Sequence, residues 1–317
     1  MKKVEILIDP GHINWVLGGI FSEIAQNNSN FFSRPKTIVP FGKLGFFHSA
    51  LLILSLALNR STIIFSSVTP LQNFHRMNPF NTNAKILWFT HFEGELSQKT
   101  IRLLNKTQLI FVHSHHLMDE LYKLGVTTEI LPVVGAINPE LFNFVYSPGD
   151  KIAWIGTVSS RKNPKLLLEF AQDNPDLKFQ VFGRNWKEHK IYEDMKLLNN
   201  VEYRELHSKI TSNDLVECSH YLMLSTSEGG PITLLETLAA GLVPICTPVG
   251  IVPELLSDVG YDQQILENDF TFFSIRKKVE TNYSLSHRKI VSDKIKYYSI
   301  SRLSSVIENA VLTLVKN

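Results

Sequence analysis

The chain has 317 residues, of which 44% are hydrophobic and 20% are charged, and its formal net charge is +2. This length exceeds one ordinary domain of ~150 residues and suits two, and the apolar content excludes wholesale disorder. The small net charge does not indicate a nucleic-acid-binding protein, and the two cysteines, Cys218 and Cys246, exclude a disulfide framework and favour a reducing cytoplasm.

The first residues predict a strand and not a secretion signal. Glu5 and Asp9 interrupt the apolar run that a signal peptide needs. Val4–Ile8 is therefore interpreted as the first β-strand.

The most apolar segment is Leu44–Leu58, which predicts a helix. Its fifteen residues include His48 and fall short of the ~20 that span a bilayer. The favoured interpretation is a helix buried in the first domain or partly exposed at an interface. Peripheral contact with a membrane stays open as the alternative.

Short apolar runs alternate with helical patterns along almost the whole chain. Ten strands are predicted: Val4–Ile8, Thr62–Ser66, Lys85–Phe89, Leu109–His113, Glu129–Val133, Lys151–Trp154, Lys178–Phe182, Val201–Tyr203, Tyr221–Leu224 and Val243–Cys246. Helices are predicted at His116–Leu124, Pro164–Gln172, Pro231–Ala240 and Pro253–Leu256. Such an alternation is typical of parallel sheets covered by helices on both faces.

The pattern predicts an α/β protein with two Rossmann-like, doubly wound, parallel-sheet domains that face each other across a cleft. The Pro- and Gly-containing stretch Asn143–Asp150 separates the two series of strands. We predict one domain over residues 1–146 and a second domain, with terminal helices, over residues 147–317. Ligands of such folds bind at the carboxyl ends of the strands.

One segment of the second half is strongly basic. Residues 276–302 carry eight Lys or Arg side chains against two acidic ones. A solvated helical face is the favoured interpretation, and contact with anionic lipid is the alternative.

Several common nucleotide-binding and hydrolase motifs do not occur. The sequence has no P-loop, no G-x-G-x-x-G after the first strand, no Asp-x-Asp pair and no G-x-S-x-G. A P-loop kinase, a dinucleotide dehydrogenase and a serine hydrolase with a nucleophile elbow are therefore disfavoured.

A candidate anion site begins after the strand Tyr221–Leu224. There Ser225 is followed by Glu228, the glycines Gly229 and Gly230, and a helix that begins with Pro231. The glycines allow a ligand close to the backbone, and the free N–H groups of the first helical turn attract an anion. Eight residues after Glu228, Glu236 can accept hydrogen bonds from vicinal hydroxyls. Taken alone, this spacing leaves capping and surface roles for the two glutamates equally open.

A second loop supports the anion site. Gly156 follows the strand Lys151–Trp154, and Arg161 and Lys162 stand just before a helix that starts near Pro164. Two adjacent cations at the amino end of a helix are unfavourable unless they face an anion. They are predicted to neutralise a diphosphate leaving group.

Together these motifs resemble a retaining glycosyltransferase of the GT-B fold, in the family four grouping that shares its architecture with glycogen synthase. Glu228 and Glu236 match the E-x7-E signature of that family, with Ser225 at the usual position. Gly156 and Lys162 match its phosphate-binding loop. The resemblance is strong over residues 150–260 and weaker over residues 1–145.

The resemblance implies roles for individual residues. Glu228, Lys162 and His91 are the expected catalytic residues, with Glu228 at the transferred sugar and Lys162 at the diphosphate. The expected donor-binding residues are Gly18, Gly19, Gly156, Thr157, Arg161, Lys162, Gly183, Arg204, Ser225, Glu228, Gly229, Gly230, Pro231, Ile232, Thr233 and Glu236. The family usually has Arg at the position of Thr157, and Arg161 is the hypothetical substitute for that cation.

The first domain is expected to bind the acceptor through His12, Asn14 and His91. A structural role for His91 is an equally open interpretation. His113, His115 and His116 are spaced poorly for a common ion, and the resembled family needs no metal, so no metal or other cofactor is expected.

The expected activity is transfer of a hexose-type sugar, with retention of configuration, from a nucleoside diphosphate sugar to a hydroxyl of a glycan or lipid-linked oligosaccharide. Bacterial surface polysaccharide synthesis, such as that of lipopolysaccharide or capsule, is the expected setting. The protein would be cytoplasmic, with peripheral association at the inner face of the membrane as an option. Two alternatives stay open: a sugar-nucleotide 2-epimerase, and a catalytically silent subunit of a partner transferase.

Overall fold

The structure is a computed structural model that describes residues 3–10, 16–39, 46–78, 83–92 and 95–316. The chain divides into two compact units. The first consists of residues 1–136 and 299–317, and the second of residues 137–298.

The first unit is built on a six-stranded sheet in the order β2-β1-β3-β4-β5-β6, and all of its strand pairs are parallel. The strands are β1 (Glu5–Ile8), β2 (Lys36–Thr37), β3 (Ile63–Phe65), β4 (Lys85–Trp88), β5 (Leu109–Val112) and β6 (Ile130–Pro132). The strands β3, β4 and β5 are buried throughout, as expected for a sheet covered on both faces.

The described residues of this unit form the helices α1 (Val16–Asn27), α2 (Phe46–Asn59), α3 (Val68–Met77), α4 (Gln98–Leu104), α5 (His115–Lys123) and α12 (Ile300–Lys316). Ser114 caps α5, because its hydroxyl accepts the N–H of Leu117 at 3.1 Å. One apolar core packs side chains of α2 to α5, such as Ile53, Leu71 and Leu104, against the sheet.

The second unit is built on a five-stranded parallel sheet in the order β11-β10-β7-β8-β9. Its strands are β7 (Lys151–Ile155), β8 (Phe179–Gly183), β9 (Val201–Glu205), β10 (Cys218–Met223) and β11 (Val243–Cys246). Its helices are α6 (Pro164–Asp173), α7 (Ile191–Lys196), α8 (Ile232–Ala240), α9 (Val252–Asp258), α10 (Phe272–Val279) and α11 (Leu285–Lys296). Its core joins Trp154, Phe170 and Val181.

These two units differ from the predicted domains, whose boundary lies between residues 146 and 147. Phe144 and Val145 are buried in the second unit, where the N–H of Val145 donates to the carbonyl oxygen of Ala240 at 2.9 Å. At the other end of the chain, α12 packs against α1. The amide of Asn28 donates to Glu308 at 2.7 Å, so the last helix completes the first unit.

All ten strands expected from the sequence occur, with ends that differ by at most three residues, and the two doubly wound parallel sheets are confirmed. The two-residue strand β2 was not predicted. The predicted apolar segment Leu44–Leu58 corresponds to α2 (Phe46–Asn59), and its first two residues lie outside the described part of the chain. Within the described residues, no helix combines the length and the hydropathy required for a membrane span.

We predict that Ile307→Ala destabilises the first unit. Ile307 lies in α12 and is 1% exposed, so its truncation removes packing worth roughly 2–5 kcal/mol. Hydrogen exchange measured by mass spectrometry should become faster in α1 while the protection of β7 and β10 is unchanged. The matched control is Asn309→Ala, because Asn309 is an exposed residue of the same helix. Faster exchange in β7 and β10 would contradict the assignment of α12 to the first unit.

Candidate functional site

The second unit has a point at which the order of its strands reverses. From β7 the chain proceeds outward to β8 and β9, and it then returns to place β10 on the other side of β7. Ligands of doubly wound sheets bind outside the carboxyl ends of the strands at such a point. The two predicted loops, Gly156–Pro164 and Ser225–Pro231, leave the carboxyl ends of β7 and β10. The fold therefore brings both of them to the switch point.

The two loops meet at the carboxylate of Glu228. Its Oε1 lies 2.6 Å from the ammonium of Lys162, and its Oε2 lies 2.6 Å from the guanidinium of Arg161. The hydroxyl of Ser225 donates to the same carboxylate at 2.9 Å. The side chain of Glu228 is 8% exposed, so these contacts replace its hydration. Glu228 therefore does not cap the helix α8.

The charges of this cluster do not cancel. Burial by itself raises the pKa of Glu228, but the attraction of Lys162 and then of Arg161 outweighs burial and lowers that pKa below its ordinary value. Glu228 is therefore ionised at neutral pH. One carboxylate faces two cations, which leaves a net charge of +1 beside the amino end of α8. An anion of matching size is attracted to such a site.

Backbone hydrogen bonds hold the two loops in register. The N–H of Thr226 donates to the carbonyl oxygen of Arg161 at 2.8 Å. The guanidinium of Arg161 donates in return to the carbonyl oxygen of Ser227 at 2.8 Å. Arg161 therefore positions the Glu228 loop as well as neutralising its carboxylate.

Gly250 packs against the loop that carries Glu228. The residue has a φ of +57°, and a Cβ at this position would overlap the carbonyl oxygens of Glu228 and Gly229. The neighbouring N–H of Ile251 donates to the carbonyl oxygen of Gly229 at 2.9 Å. Only glycine combines this left-handed conformation with so close an approach. Gly250 therefore fixes the position of the backbone at Glu228 and Gly229.

A pair of tryptophans supports the Gly156 loop. The indole N–H of Trp186 donates to the carbonyl oxygen of Gly156 at 2.9 Å, and its ring packs edge-to-face on Trp154 with centroids 5.2 Å apart. A Cβ at Gly183 would overlap both that carbonyl oxygen and the indole nitrogen. Gly183, expected at the donor, thus has a visible packing role behind the loop.

The helix α8 starts one residue after the position expected from the sequence. Pro231 is its N-cap residue, and Ile232 and Thr233 form the start of its first turn. The N–H groups of a first turn have no acceptor within their own helix. The hydroxyls of Thr233 and Tyr221 lie 2.7 Å apart in a hydrogen bond, which ties this turn to β10.

Glu236 is the second carboxylate of the site, and its environment differs from that of Glu228. It is half-buried, and burial raises its pKa to about 7 although Lys209 acts in the opposite direction. Burial lowers the pKa of Lys209, while Glu236 raises it. Burial raises the pKa of Tyr221, and the charges of Cys246, Glu228 and Glu236 raise it further, so both carboxylates act on the same phenol. At neutral pH one of them is ionised and the other titrates.

The remaining donor-site predictions have no contact that settles their role. Thr157 lies half-buried in the loop after Gly156, and Gly230 lies half-buried before Pro231. Arg204 lies in β9, where its guanidinium is 2.7 Å from the carboxylate of Asp214. Its role beside a nucleotide base stays a prediction.

The first-unit predictions concern the carboxyl ends of β1 and β4. Gly18 and Gly19 lie in the first turn of α1, and His91 follows β4 by three residues. His12 and Asn14, expected at the acceptor, lie outside the described residues. Their roles and that of His91 stay predictions.

The three histidines near β5 do not form a group. The ring of His113 is buried in the sheet, where its Nε2 accepts the indole N–H of Trp88 at 3.1 Å. The ring of His116 lies 3.5 Å from Glu120, which is on the same helix as His115. In the described part of the chain, no set of three or more His, Cys, Asp or Glu side chains could hold a metal ion.

Sequence reasoning missed four residues of the site. Gly250 and Trp186 act through close packing between distant segments, which a motif does not reveal. Lys209 and Tyr221 act through charge and burial near Glu236. The available sequence signal was Gly250 itself, because it is a glycine in the turn between the strand β11 and the helix α9.

Comparison with known proteins relates the second unit to one family. Residues 144–268 match the family described as "Glycosyl transferases group 1". No match to the chain is found among curated proteins.

Solved structures share the fold over nearly the whole chain. HepE of Anabaena in complex with UDP-glucose has a TM-score of 0.76 and 11% identity, over 98% of this chain and 100% of that one. Sucrose-phosphate synthase of Thermosynechococcus elongatus has a TM-score of 0.75 and 10% identity, over 99% and 100%. The lipopolysaccharide outer core galactosyltransferase WaaB in its apo form has a TM-score of 0.70 and 13% identity, over 98% and 99%. The chain therefore has the GT-B fold.

We predict that Gly250→Ala lowers stability by about 2 kcal/mol or more, since the new Cβ strains the backbone and displaces the Glu228 loop. The control is Gly260→Ala, in the same unit. Gly260 has a φ of +79°, but the neighbour that its Cβ would meet is a side-chain atom of His287 at 3.2 Å. Denaturant unfolding should show the larger loss for Gly250→Ala. Equal losses would mean that the contact with the loop contributes nothing.

Proposed function

We propose that this protein, which combines the GT-B fold with a segment that matches the group 1 glycosyl transferases, is a glycosyltransferase. It transfers a sugar from a nucleoside diphosphate sugar to a hydroxyl group of a glycan or lipid-linked oligosaccharide. The observation that carries the proposal is the cluster in which Arg161 and Lys162 flank the buried carboxylate of Glu228. The family match over residues 144–268 includes all three residues.

The diphosphate of the donor is assigned to the cationic side of this cluster. Lys162 and Arg161 provide two positive charges, and the first turn of α8 adds the partial charge of its N–H groups. A diphosphate carries more negative charge than the cluster has in excess, so it competes with Glu228 for both cations. Because charge builds on this group as the sugar leaves, these contacts strengthen towards the transition state.

The two glutamates have separate tasks in this proposal. Glu228 is ionised and accepts hydrogen bonds from hydroxyls of the sugar. Glu236 accepts hydrogen bonds from the two vicinal hydroxyls of the ribose, for which its ionised form is the better acceptor. A neighbouring structure, HepE, was solved with UDP-glucose, which is a donor of this chemical class.

The chemical step is assigned a retaining, same-face course. The bond from the anomeric carbon to the diphosphate oxygen breaks, and the acceptor oxygen bonds to that carbon on the same face. The acceptor proton moves to an oxygen of the leaving diphosphate. Arg161 and Lys162 compensate the negative charge in this route, so no metal ion is assigned to it. NMR analysis of the product anomer tests the course, because an inverted linkage excludes it.

The setting that we propose is surface polysaccharide synthesis in the bacterial cytoplasm, at the inner face of the membrane, with a hexose as the transferred group. Support comes from WaaB, a lipopolysaccharide outer core galactosyltransferase that shares the fold over nearly its full length. A thermal-shift screen against a panel of nucleotide sugars would identify the donor, because a ligand stabilises the native state in proportion to its occupancy.

We predict that Lys162→Ala reduces kcat/KM by roughly 10²–10³-fold, which is the usual effect of removing one group that stabilises developing charge. Arg161→Ala should reduce kcat/KM by at least about tenfold, because Arg161 is the proposed substitute for the arginine that the resembled family has at the position of Thr157. The measurement is transfer of the sugar from the donor selected by the screen. The assay without acceptor also detects epimerisation of the donor.

The matched control is Lys165→Ala. Lys165 lies three residues after Lys162, with its side chain 84% exposed and paired with Glu169 at 3.3 Å. Its removal should leave transfer unchanged. Full activity of Arg161→Ala would show that Arg161 does not substitute for the usual arginine, and full activity of Lys162→Ala would overturn the assignment of the diphosphate.

We predict that the affinity for the nucleoside diphosphate rises with pH through about 7, where Glu236 loses its proton. Between about pH 6 and pH 8 the ionised fraction rises up to about tenfold, and this factor should appear in Kd measured by calorimetry. Glu236→Gln serves as the control, since titration of the phosphate itself is the same in both proteins. Identical pH profiles of the two proteins would exclude Glu236 from the ribose site.

A further inference from the structure

The helix α2 contains no charged residue in its fourteen positions. Its inner side carries Ser49, Ile53 and Leu56, which are 1–3% exposed. Ile53 and Leu56 join the core of the first unit, and the hydroxyl of Ser49 accepts the N–H of Val39 at 2.9 Å. One side of α2 therefore has the burial expected of a helix packed on a sheet.

The outer side of α2 is also apolar. Leu51, Leu54 and Leu58 are 68%, 57% and 76% exposed, and their spacing of three and four residues aligns them on one face. We call these three residues the leucine stripe. Phe47, which is 82% exposed, continues the same line towards the start of the helix. A surface helix normally has polar side chains on this face, so the leucine stripe requires an explanation.

The charge of the surrounding sequence is one-sided. Between Glu23 and Glu93 the chain has no Asp and no Glu. The same stretch has six basic residues: Arg34, Lys36, Lys43, Arg60, Arg76 and Lys85. Arg60 directly follows α2, and Arg76 lies on α3, which packs against α2. Both of these arginines are exposed.

His75, the neighbour of Arg76 on α3, reports the same excess of positive charge. Burial lowers its pKa, and the charges of Lys106, Lys85 and Lys99 lower it further. Lys99 and Lys106 are exposed and belong to α4 and the turn that follows it. Cations therefore accumulate around α3, the helix that packs against α2.

In the other basic segment of the chain, residues 276–302, several cations are paired with acids. Arg276 pairs with Asp176 and Glu280. Lys289 pairs with Asp293, and Lys294 pairs with Asp258. Of its eight basic side chains, these three pair with acids within the second unit. At α2, exposed leucines and an excess of positive charge in the surrounding sequence occur together.

We propose that the leucine stripe is a membrane-docking surface that inserts into the interface of a bilayer rich in anionic lipid. The three leucines would enter the boundary between headgroups and acyl chains, while Arg60 and Arg76 would contact the headgroups. With fourteen residues, α2 is shorter than the ~20 that cross a bilayer, so it lies in the interface. This contact rests on the proposed function in one respect, namely that it brings the enzyme to a lipid-linked acceptor.

A second copy of the chain is a poorer occupant of this surface. A stable dimer buries ~800 Å² on each partner and uses ~20–30 residues from each side. The leucine stripe offers three leucines on one helix. Across a two-fold axis the cations beside α2 would also face one another, because such an interface pairs the same patch from both copies. Anionic lipid matches both the apolar face and the charge.

The test is sedimentation of the full chain with vesicles. We expect binding to vesicles of phosphatidylcholine mixed with phosphatidylglycerol, and at least about tenfold weaker binding to phosphatidylcholine alone. The triple substitution Leu51→Gln, Leu54→Gln and Leu58→Gln should weaken binding to the mixed vesicles by at least about tenfold, because it removes the apolar area that inserts. The control triple, Leu197→Gln, Leu285→Gln and Ile290→Gln, alters exposed apolar residues of the second unit and should bind as the native chain does.

A charge series tests the headgroup contact. Arg60→Asn with Arg76→Gln should weaken binding to mixed vesicles by about 25-fold, since each cation near the surface contributes a factor of about five. Asn is chosen at Arg60 because that residue has a φ of +48°, which Asn tolerates. The control, Lys165→Gln with Lys277→Gln, removes two exposed cations of the second unit and should have no effect.

Native-like circular dichroism of each variant shows that it is folded, and the thermal shift with the donor nucleotide is measured on the same samples. Vesicle binding that is absent from the native chain, or unchanged in the leucine variant, would overturn the docking surface while a retained nucleotide shift leaves the proposed function standing. Loss of the nucleotide shift with vesicle binding intact would overturn the proposed function and leave the docking surface standing. A dimer of the native chain that the leucine variant abolishes, without vesicle binding, would assign the surface to a second copy.

Discussion

The contact between the carboxylate of Glu228 and the cations of Arg161 and Lys162 is the interaction on which the rest of the site depends. It joins the loop after β7 to the loop after β10 at the point where strand order reverses. A buried carboxylate with a single partner would gain little, because desolvation offsets much of the attraction. With two cations and the hydroxyl of Ser225, Glu228 stays ionised and the loops are held in one arrangement.

The surrounding packing preserves this arrangement before any ligand arrives. Gly250 lies against the backbone of Glu228, and Trp186 holds the carbonyl group of Gly156, so both loops are supported by groups that do not touch the charges. The cost of ordering the loops is therefore met during folding and not during binding, which is the basis of preorganisation. The excess of one positive charge stays available for an anion.

The sequence predicted the regular part of the fold and assigned Arg161, Lys162 and Glu228 to one candidate site. The strands β3 to β5 are continuous apolar runs, and such runs identify buried parallel strands without knowledge of their neighbours. By contrast, β2 has two residues, and the return of α12 to the first unit depends on contacts between Asn28 and Glu308, 280 positions apart. Local patterns contain no information about either. Likewise, the resemblance to a family signature predicted that Glu228 and Glu236 belong together, but their different protonation follows from the burial of Glu236 and from the cations beside Glu228, which only the folded chain defines.

This difference in protonation explains how two identical side chains can serve one ligand in two ways. Lys162 and Arg161 keep Glu228 charged, so it can orient a sugar at any pH near neutrality. Glu236 has one opposing cation and a pKa of about 7, so its charge is formed most completely when hydroxyl donors occupy its position. Two carboxylates whose environments separate their pKa values are typical of functional sites, because burying a charge without such use lowers stability. A structural role for Glu236 would be served better by an amide of the same shape, which has no charge to desolvate. The presence of an acid there therefore favours a ligand that donates hydrogen bonds to it.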